Sequence, residues 1–536
     1  MKYPIGIQSF DRIREDGFVY IDKTALIYDL VHEGSIYFLS RPRRFGKSLL
    51  VSTLACYFQG RKELFDGLAM AELEKEWLTY PVFRVDFNGG NFTQPGELEK
   101  IIEGYLRHWE SIYGKDDIYT TTGDRFKEVL RRASEQAGRR AVVLIDEYDK
   151  PILDVLDTDS SFTNHEGKKV LLEDWHREIL KGFYSTFKGA DEYLKLVLLT
   201  GVTKFSQVSV FSGFNQPADI SMDEKYESLC GITQEELESY FAESIARLAT
   251  KEGCTVEEMK MELKRQYDGY HFSTQMTDIY NPFSILNTFS KNEIRDYWFS
   301  TGTPTYLIRL LQHNHEQMNE LTGKYYDPAK FVDYKADVEQ PLPMIYQSGY
   351  LTIKAYNRKM RTYLLDFPNN DVRKGFLTLL AAGYLKPRRQ DVGSWVTDSI
   401  MSLDQGDTTE FRTSLTAFLA SIPYDSHGSL KDLEMTEKHF QYTFYLLLRL
   451  MGVYCLAIRC EDRQSFGRVD CTLEMDDYVY IFEFKLDGTA REAMEQIEAN
   501  GYAKPYIGDK RKVICIGVSF SSETRTVEDW EEKVLR

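Results

Sequence analysis

Cysteine is scarce and unpatterned in this chain of 536 residues: seven in all, an odd number, with no Cys-x-x-Cys pair. That spacing speaks against a zinc ribbon or a disulfide framework; small buried hydrophobes in a reduced, cytoplasmic protein are the ordinary reading. Long apolar runs are missing too. No stretch approaches the roughly 18 apolar residues that cross a bilayer. The first residues, Met1-Lys2-Tyr3-Pro4-Ile5-Gly6, carry one Lys and no following apolar segment, so neither a membrane partner nor a secretory signal is expected. Proline numbers only 15, and no collagen-like or low-complexity bias appears. An excess of positive charge is also lacking: 66 Lys+Arg against 83 Asp+Glu give −17. That balance argues against a protein that coats polyanions through dense Lys and Arg. A nucleic-acid enzyme with a locally basic or metal-filled site survives the exclusion.

What is present suits packed cores: 43% hydrophobic and 28% charged residues, over a length that suggests three or four domains at about 150 residues each. Ile36-Tyr37-Phe38-Leu39 reads as a short strand, followed by Ser40-Arg41-Pro42-Arg43-Arg44-Phe45-Gly46 and then by Lys47-Ser48, which open a buried helix to Phe58. Strand, loop, Gly-Lys-Ser and helix is the order that a phosphate-binding loop requires. Backbone N–H groups and the helix N-terminus face the phosphates, Lys47 reaches the β/γ oxygens, and Ser48 holds Mg²⁺. One feature departs from the pattern: Arg41 stands where the first glycine is usual. A basic loop with an incidental Gly-Lys-Ser is the competing reading.

A second half tips the balance. Ala141-Val142-Val143-Leu144-Ile145 is a continuous apolar run, as in a parallel strand buried on both faces. It ends in Asp146-Glu147-Tyr148-Asp149, which offers Asp146 to the metal shell and Glu147 to orient the attacking water. Leu194–Leu199 ends in Thr200-Gly201-Val202-Thr203-Lys204, and Val82–Phe87 supplies another strand. In open α/β sheets ligands bind beyond the carboxyl ends of strands, where these polar groups fall. The nucleotide contacts are assigned to Arg43, Arg44, Phe45, Gly46, Lys47, Ser48 and Leu49, with Thr200 and Lys204 at the third strand's tip.

Several segments together resemble one family: Pro4-Ile5-Gly6, Tyr20-Ile21-Asp22-Lys23-Thr24, Arg41-Pro42-Arg43-Arg44-Phe45-Gly46-Lys47-Ser48, Leu144–Pro151, Thr200–Lys204, Tyr267-Asp268-Gly269-Tyr270 and Tyr280-Asn281-Pro282. The chain resembles bacterial AAA-ATPase-like proteins that carry a C-terminal PD-(D/E)XK nuclease-superfamily domain. The resemblance implies an AAA-like P-loop fold with ATP as cofactor, and it makes Arg41 the family's own variant of the loop.

Downstream, Thr233 with Glu236 forms a capping box, and a helical, lid-like region follows to about residue 320, including Asp296-Tyr297-Trp298-Phe299. Tyr350–Ala355 and Thr362–Phe367 read as a hairpin, with a helix after Pro368-Asn369-Asn370, a winged-helix-like element. Its turn carries Arg358, Lys359 and Arg361, either a phosphate contact or, more ordinarily, a solvated tip. Residues 386–409, rich in Gly, Asp, Ser and Gln, read as a connecting region.

Gly467–Glu474 and Tyr478–Lys485 read as two strands around Met475-Asp476-Asp477. If Asp476-Asp477 form a two-residue turn, Met475 pairs with Tyr478 and, counting outward, Asp470 pairs with Glu483. Their Cβ atoms are then roughly 5 Å apart on one face, and Lys485 points the same way by the period of two. Opposed carboxylates in an apolar hairpin repel unless a cation lies between them, so the pattern suits Mg²⁺-dependent phosphodiester hydrolysis. The competing reading is a surface hairpin with solvated charges. The arrangement is similar to the PD-(D/E)XK signature, which carries over Asp470, Glu483 and Lys485 as catalytic. It also implies Gln496 as a polar helper and Glu437, on the superfamily's first helix, as an outer metal contact.

The expected architecture is α/β: an AAA-like P-loop domain over 1–225, a helical and winged-helix-like middle over 226–400, and a nuclease-like domain over 401–536. ATP and Mg²⁺ are the expected cofactors and nucleic acid the partner, DNA ahead of RNA; a homo-oligomer is compatible with the chain. A nucleotide-switched binding protein with a silent nuclease fold is the alternative.

Overall fold

The computed structural model describes residues 1–535 apart from 157, 165–166, 205–216, 299–320, 333–340, 386–391, 423–445, 453–454, 456 and 465–466. Two compact units divide it, Met1–Val372 and Arg373–Arg536. Glu437 and the helix start around it lie outside the described residues, as does Phe299.

In the first unit the apolar runs become strands: β1 (Ile36–Ser40), β2 (Val82–Asp86), β3 (Ala141–Asp146), a short antiparallel pair β4 (Ser161–Thr163) and β5 (Lys169–Leu171), then β6 (Leu194–Gly201) and β7 (Ala218–Asp219). Five of them form a parallel sheet in the order β2-β3-β6-β1-β7. All six residues of β3 are buried, so an uninterrupted apolar run was needed there rather than an alternating one. Registers Ser40↔Gly201 and Asp86↔Asp146 bring four strand ends to one edge of the sheet. The helix Lys47–Phe58 starts from that edge and is buried from Leu50 to Phe58.

Both halves of the Thr233–Glu236 capping box form, on the helix Gln234–Glu252, and Thr255 with Glu258 repeats the device on Val256–Tyr267. These helices and a third, Pro282–Lys291, share a core of Leu237, Phe241, Leu248, Leu263 and Phe289. β8 (Ile232–Thr233) pairs with β9 (Ile279–Tyr280) beneath them. The expected hairpin is β11 (Thr352–Asn357) and β12 (Thr362–Asp366), extended by β10 (Lys324–Tyr326), with a helix starting at Asn370. Arg358, Lys359 and Arg361 at its tip are exposed.

The second unit corrects one expectation. Residues 392–404 are a helix, Val392–Asp404, and a second helix spans Thr408–Ser421, so 386–409 is not a loose connector where it is described. Its Gly and Ser content concealed a buried stripe at helical spacing: Val392, Trp395, Val396, Ser399, Ile400 and Leu403. The sheet then runs β13 (Ala457–Gln464), β14 (Gly467–Glu474), β15 (Tyr478–Leu486), β16 (Lys512–Phe520) and β17 (Val527–Val534), neighbours in that order. β15 and β16 are parallel and the other pairs antiparallel. The β15–β16 crossover carries the helix Ala490–Asn500, whose Met494 and Ile497 pack with Val479, Ile481 and Val513. Among the described residues no helix is long and apolar enough to cross a membrane.

Candidate functional site

The Gly-Lys-Ser loop follows β1 directly. Gly46, at φ 95, caps the helix Lys47–Phe58 from a left-handed conformation that a side chain would strain, and Arg44 shares that region at φ 69. Lys47 is buried and donates across the loop to the Arg41 carbonyl (3.0 Å) and the Pro42 carbonyl (3.2 Å). Arg41 itself is buried and fastens the loop from behind. It donates to the carbonyls of Ser40, Ser221, Tyr226 and Glu227, and its guanidinium lies 4.1 Å from the Phe272 ring centre.

A cleft of about 340 Å³ opens on this loop. Arg43, Arg44, Gly46, Lys47, Ser48 and Leu49 line one wall, and Glu147 and Lys150 line another. Glu147 takes a left-handed φ of 54. Burial pushes its carboxyl above the usual range, with Asp149 and Asp146 adding to the rise and Lys47 and Arg43 opposing it. Asp146 is buried and accepts from Thr200 Oγ1 at 2.7 Å.

In the second unit the hairpin register follows the turn. Met475 N donates to the Tyr478 carbonyl (2.8 Å), and the ladder runs from Glu474↔Val479 to Cys471↔Phe482. That pairing ends one residue short of Asp470 and Glu483; Asp470 Oδ2 accepts from Phe484 N at 2.9 Å, which brings its carboxylate beside the strand that carries Glu483. Glu483 is 1% exposed. Its Oε1 accepts from Gln496 Nε2, and among the described residues its buried Oε2 has no hydrogen-bond partner. Lys485 Nζ donates to Gln496 Oε1 (2.5 Å) and lies 3.8 Å from Glu483. Burial first, then Asp470, pushes the Glu483 carboxyl up to about 8. A buried, half-satisfied carboxylate close to a second one, with oxygen donors only, suits a hard divalent cation. Among the described residues no group of three metal-binding side chains occurs.

Residues 4–211 match the family model described as predicted AAA-ATPase, and residues 435–530 match the PD-(D/E)XK nuclease superfamily. Over 531 residues, 98% of both proteins, the chain is 36% identical to an uncharacterized protein in the vnfD 5′ region of Azotobacter chroococcum mcd 1. The chain belongs to the AAA-ATPase-like family with a PD-(D/E)XK nuclease-superfamily domain.

In this AAA-ATPase-like protein the first cleft gathers most, not all, of the residues assigned to nucleotide. Phe45 packs edge-on against Tyr270 and Phe272 instead. Thr200 is turned to Asp146, and Lys204 Nζ pairs with Asp219 at 2.8 Å. The cleft also takes Pro4–Gln8, Asn88, and Pro282 with Phe283 and Asn287, none of which the local chemistry singled out. Their signal was present in Pro4-Ile5-Gly6 and Tyr280-Asn281-Pro282, segments with no charged side chain to announce a role.

Proposed function

We propose that this protein binds and hydrolyses MgATP in the first-unit cleft, and that its second unit carries an Mg²⁺-dependent nuclease acting on nucleic acid, DNA ahead of RNA. Support for ATP comes from the cleft's shape. Arg43, Arg44 and Lys47 offer positive charge to phosphates, and Glu147 is assigned to orient water. An apolar recess of about 100 Å³, lined by Ile21, Leu50, Leu229 and Ile232, shares Gly46 and Leu49 with the cleft and suits a base.

The observation that carries the nuclease reading is the Asp470–Glu483 pair with Lys485 fixed through Gln496. Asp470 and Glu483 would hold the metal, with Glu437 as the assigned outer contact. Bound there, Mg²⁺ supplies Lewis-acid activation of water and neutralises developing charge. Gln496 donates to Glu483 and accepts from Lys485, which holds the ammonium group 3.8 Å from the carboxylate, where it would meet a phosphate oxygen.

The test uses full-length wild type, Lys47→Ala and Asp470→Ala with plasmid, linear and single-stranded substrates, Mg²⁺, and ATP present or absent. Cleavage should disappear in Asp470→Ala and its ATP dependence in Lys47→Ala; cleavage that survives in Asp470→Ala ends the nuclease reading. A silent nuclease fold is favoured by one observation: residues 431–536 hold 15 Lys+Arg against 20 Asp+Glu, a net −5 that gives little general affinity for nucleic acid. Calorimetric Mg²⁺ titration decides between the two, since the silent fold shows no heat that Asp470→Ala removes.

A further inference from the structure

Asp149 is a fully buried carboxylate with no role in the sites above. Its Oδ2 accepts from Val202 N (3.0 Å), Thr203 N (2.6 Å) and Thr203 Oγ1 (2.7 Å). A carboxyl group taken out of water is costly unless donors replace its hydration; three do so on Oδ2, while among the described residues the buried Oδ1 has no hydrogen-bond partner. The same stretch is held twice more, by Tyr148 N on the Thr200 carbonyl (3.0 Å) and Tyr148 Oη on the Thr203 carbonyl (2.8 Å). On the near side Thr200 bonds Asp146, and Arg41 N donates to the Gly201 carbonyl at 3.2 Å, which ties this stretch to the phosphate loop.

Glu147 lies between these anchors in the left-handed region, a conformation that strains a residue carrying a side chain. Bonds on both sides therefore have to keep it there. Gly201 shows how close the clamp is: a Cβ at that position would fall 2.6 Å from Asp149 Oδ1 and would also meet the Tyr148 ring.

We propose that Asp149 is a positioning residue which, by clamping Val202 and Thr203, holds the Asp146–Asp149 turn so that the Glu147 carboxylate faces the nucleotide cleft. The inference rests on the ATPase reading. Steady-state ATP hydrolysis and calorimetric binding of a non-hydrolysable ATP analogue are measured on the full chain for wild type, Glu147→Gln, Asp149→Ala, Asp149→Asn, Gly201→Ala and the double variant Glu147→Gln/Asp149→Ala. Asp149→Ala is expected to lower kcat about tenfold or more while analogue affinity stays within about twofold. Asp149→Asn, which retains an acceptor oxygen, recovers most of the rate. The double variant is no slower than Glu147→Gln, because a clamp has no effect once the group it aims is gone.

Should Asp149→Ala fail to fold, Gly201→Ala displaces the clamp from the opposite side and is expected to show the same loss of kcat with affinity kept. An unchanged kcat in the variant used, or losses that multiply in its double variant with Glu147→Gln, overturns the inference alone. A wild type that does not hydrolyse ATP overturns the ATPase reading and the inference with it.

Discussion

Single side chains in this protein do work that their residue type alone would not suggest. Lys47 spans its own loop through the Arg41 and Pro42 carbonyls, so its charge is held at the cleft. We expect Lys47→Ala to weaken ATP-analogue binding about 10- to 100-fold in calorimetry, the range for losing one charged hydrogen bond to phosphate. Glu483 makes a pH prediction whose sign is fixed. Its carboxyl is raised to about 8 from an ordinary 4.5, so the folded state disfavours the ionised form. Below about 4.5 the group is protonated in both states and carries no penalty; stability then falls as pH rises through about 8, where it levels off. Urea denaturation in EDTA is expected to show this decline in wild type and a flatter profile in Glu483→Gln. Mg²⁺, which needs the carboxylate, should bind more tightly as pH climbs over the same range.

Among the elements, the crossover between β15 and β16 is the most exacting. The helix Ala490–Asn500 approaches β16 at Gly517, where an added Cβ would meet the Ala490 carbonyl, Met494 and Ala493. Backbone cannot give way as a side-chain tip can, so Gly517→Ala is expected to cost about 1–3 kcal/mol, read as a lower urea midpoint. The same displacement would move Gln496 on that helix, and with it the contacts to Glu483 and Lys485. A lowered Mg²⁺ affinity in Gly517→Ala should therefore accompany the lost stability. The helix Val392–Asp404 teaches a different lesson about elements. Gly393, Ser394, Ser399 and Asp404 are poor helix formers or favour caps, yet the apolar stripe between them was enough to make a buried helix.

At the scale of the molecule, a charge of −17 limits how nucleic acid could be held. Affinity that comes through a metal and a few cations releases few counterions. Binding in Mg²⁺ should accordingly vary with salt with a log–log slope shallower than about −3, and should be lost in EDTA. A steep slope persisting in EDTA would point to a basic surface instead.

The sequence by itself determined whatever depends on local period and order. An apolar run ending in acids reads as a buried strand carrying Asp146 and Glu147 to a sheet edge, and residues 141–146 form that strand. A two-residue turn at Asp476-Asp477 fixed the register from Glu474↔Val479 to Cys471↔Phe482. Tertiary structure alone decided which distant groups complete those sites. Pro4–Gln8 and Phe283 reach the cleft, Arg41 is buried against Phe272, Lys204 goes to Asp219, and Thr203 meets Asp149. These contacts join segments tens to hundreds of residues apart, and whether a polar group is satisfied, buried or exposed depends on the whole packed neighbourhood. No window of sequence contains that sum.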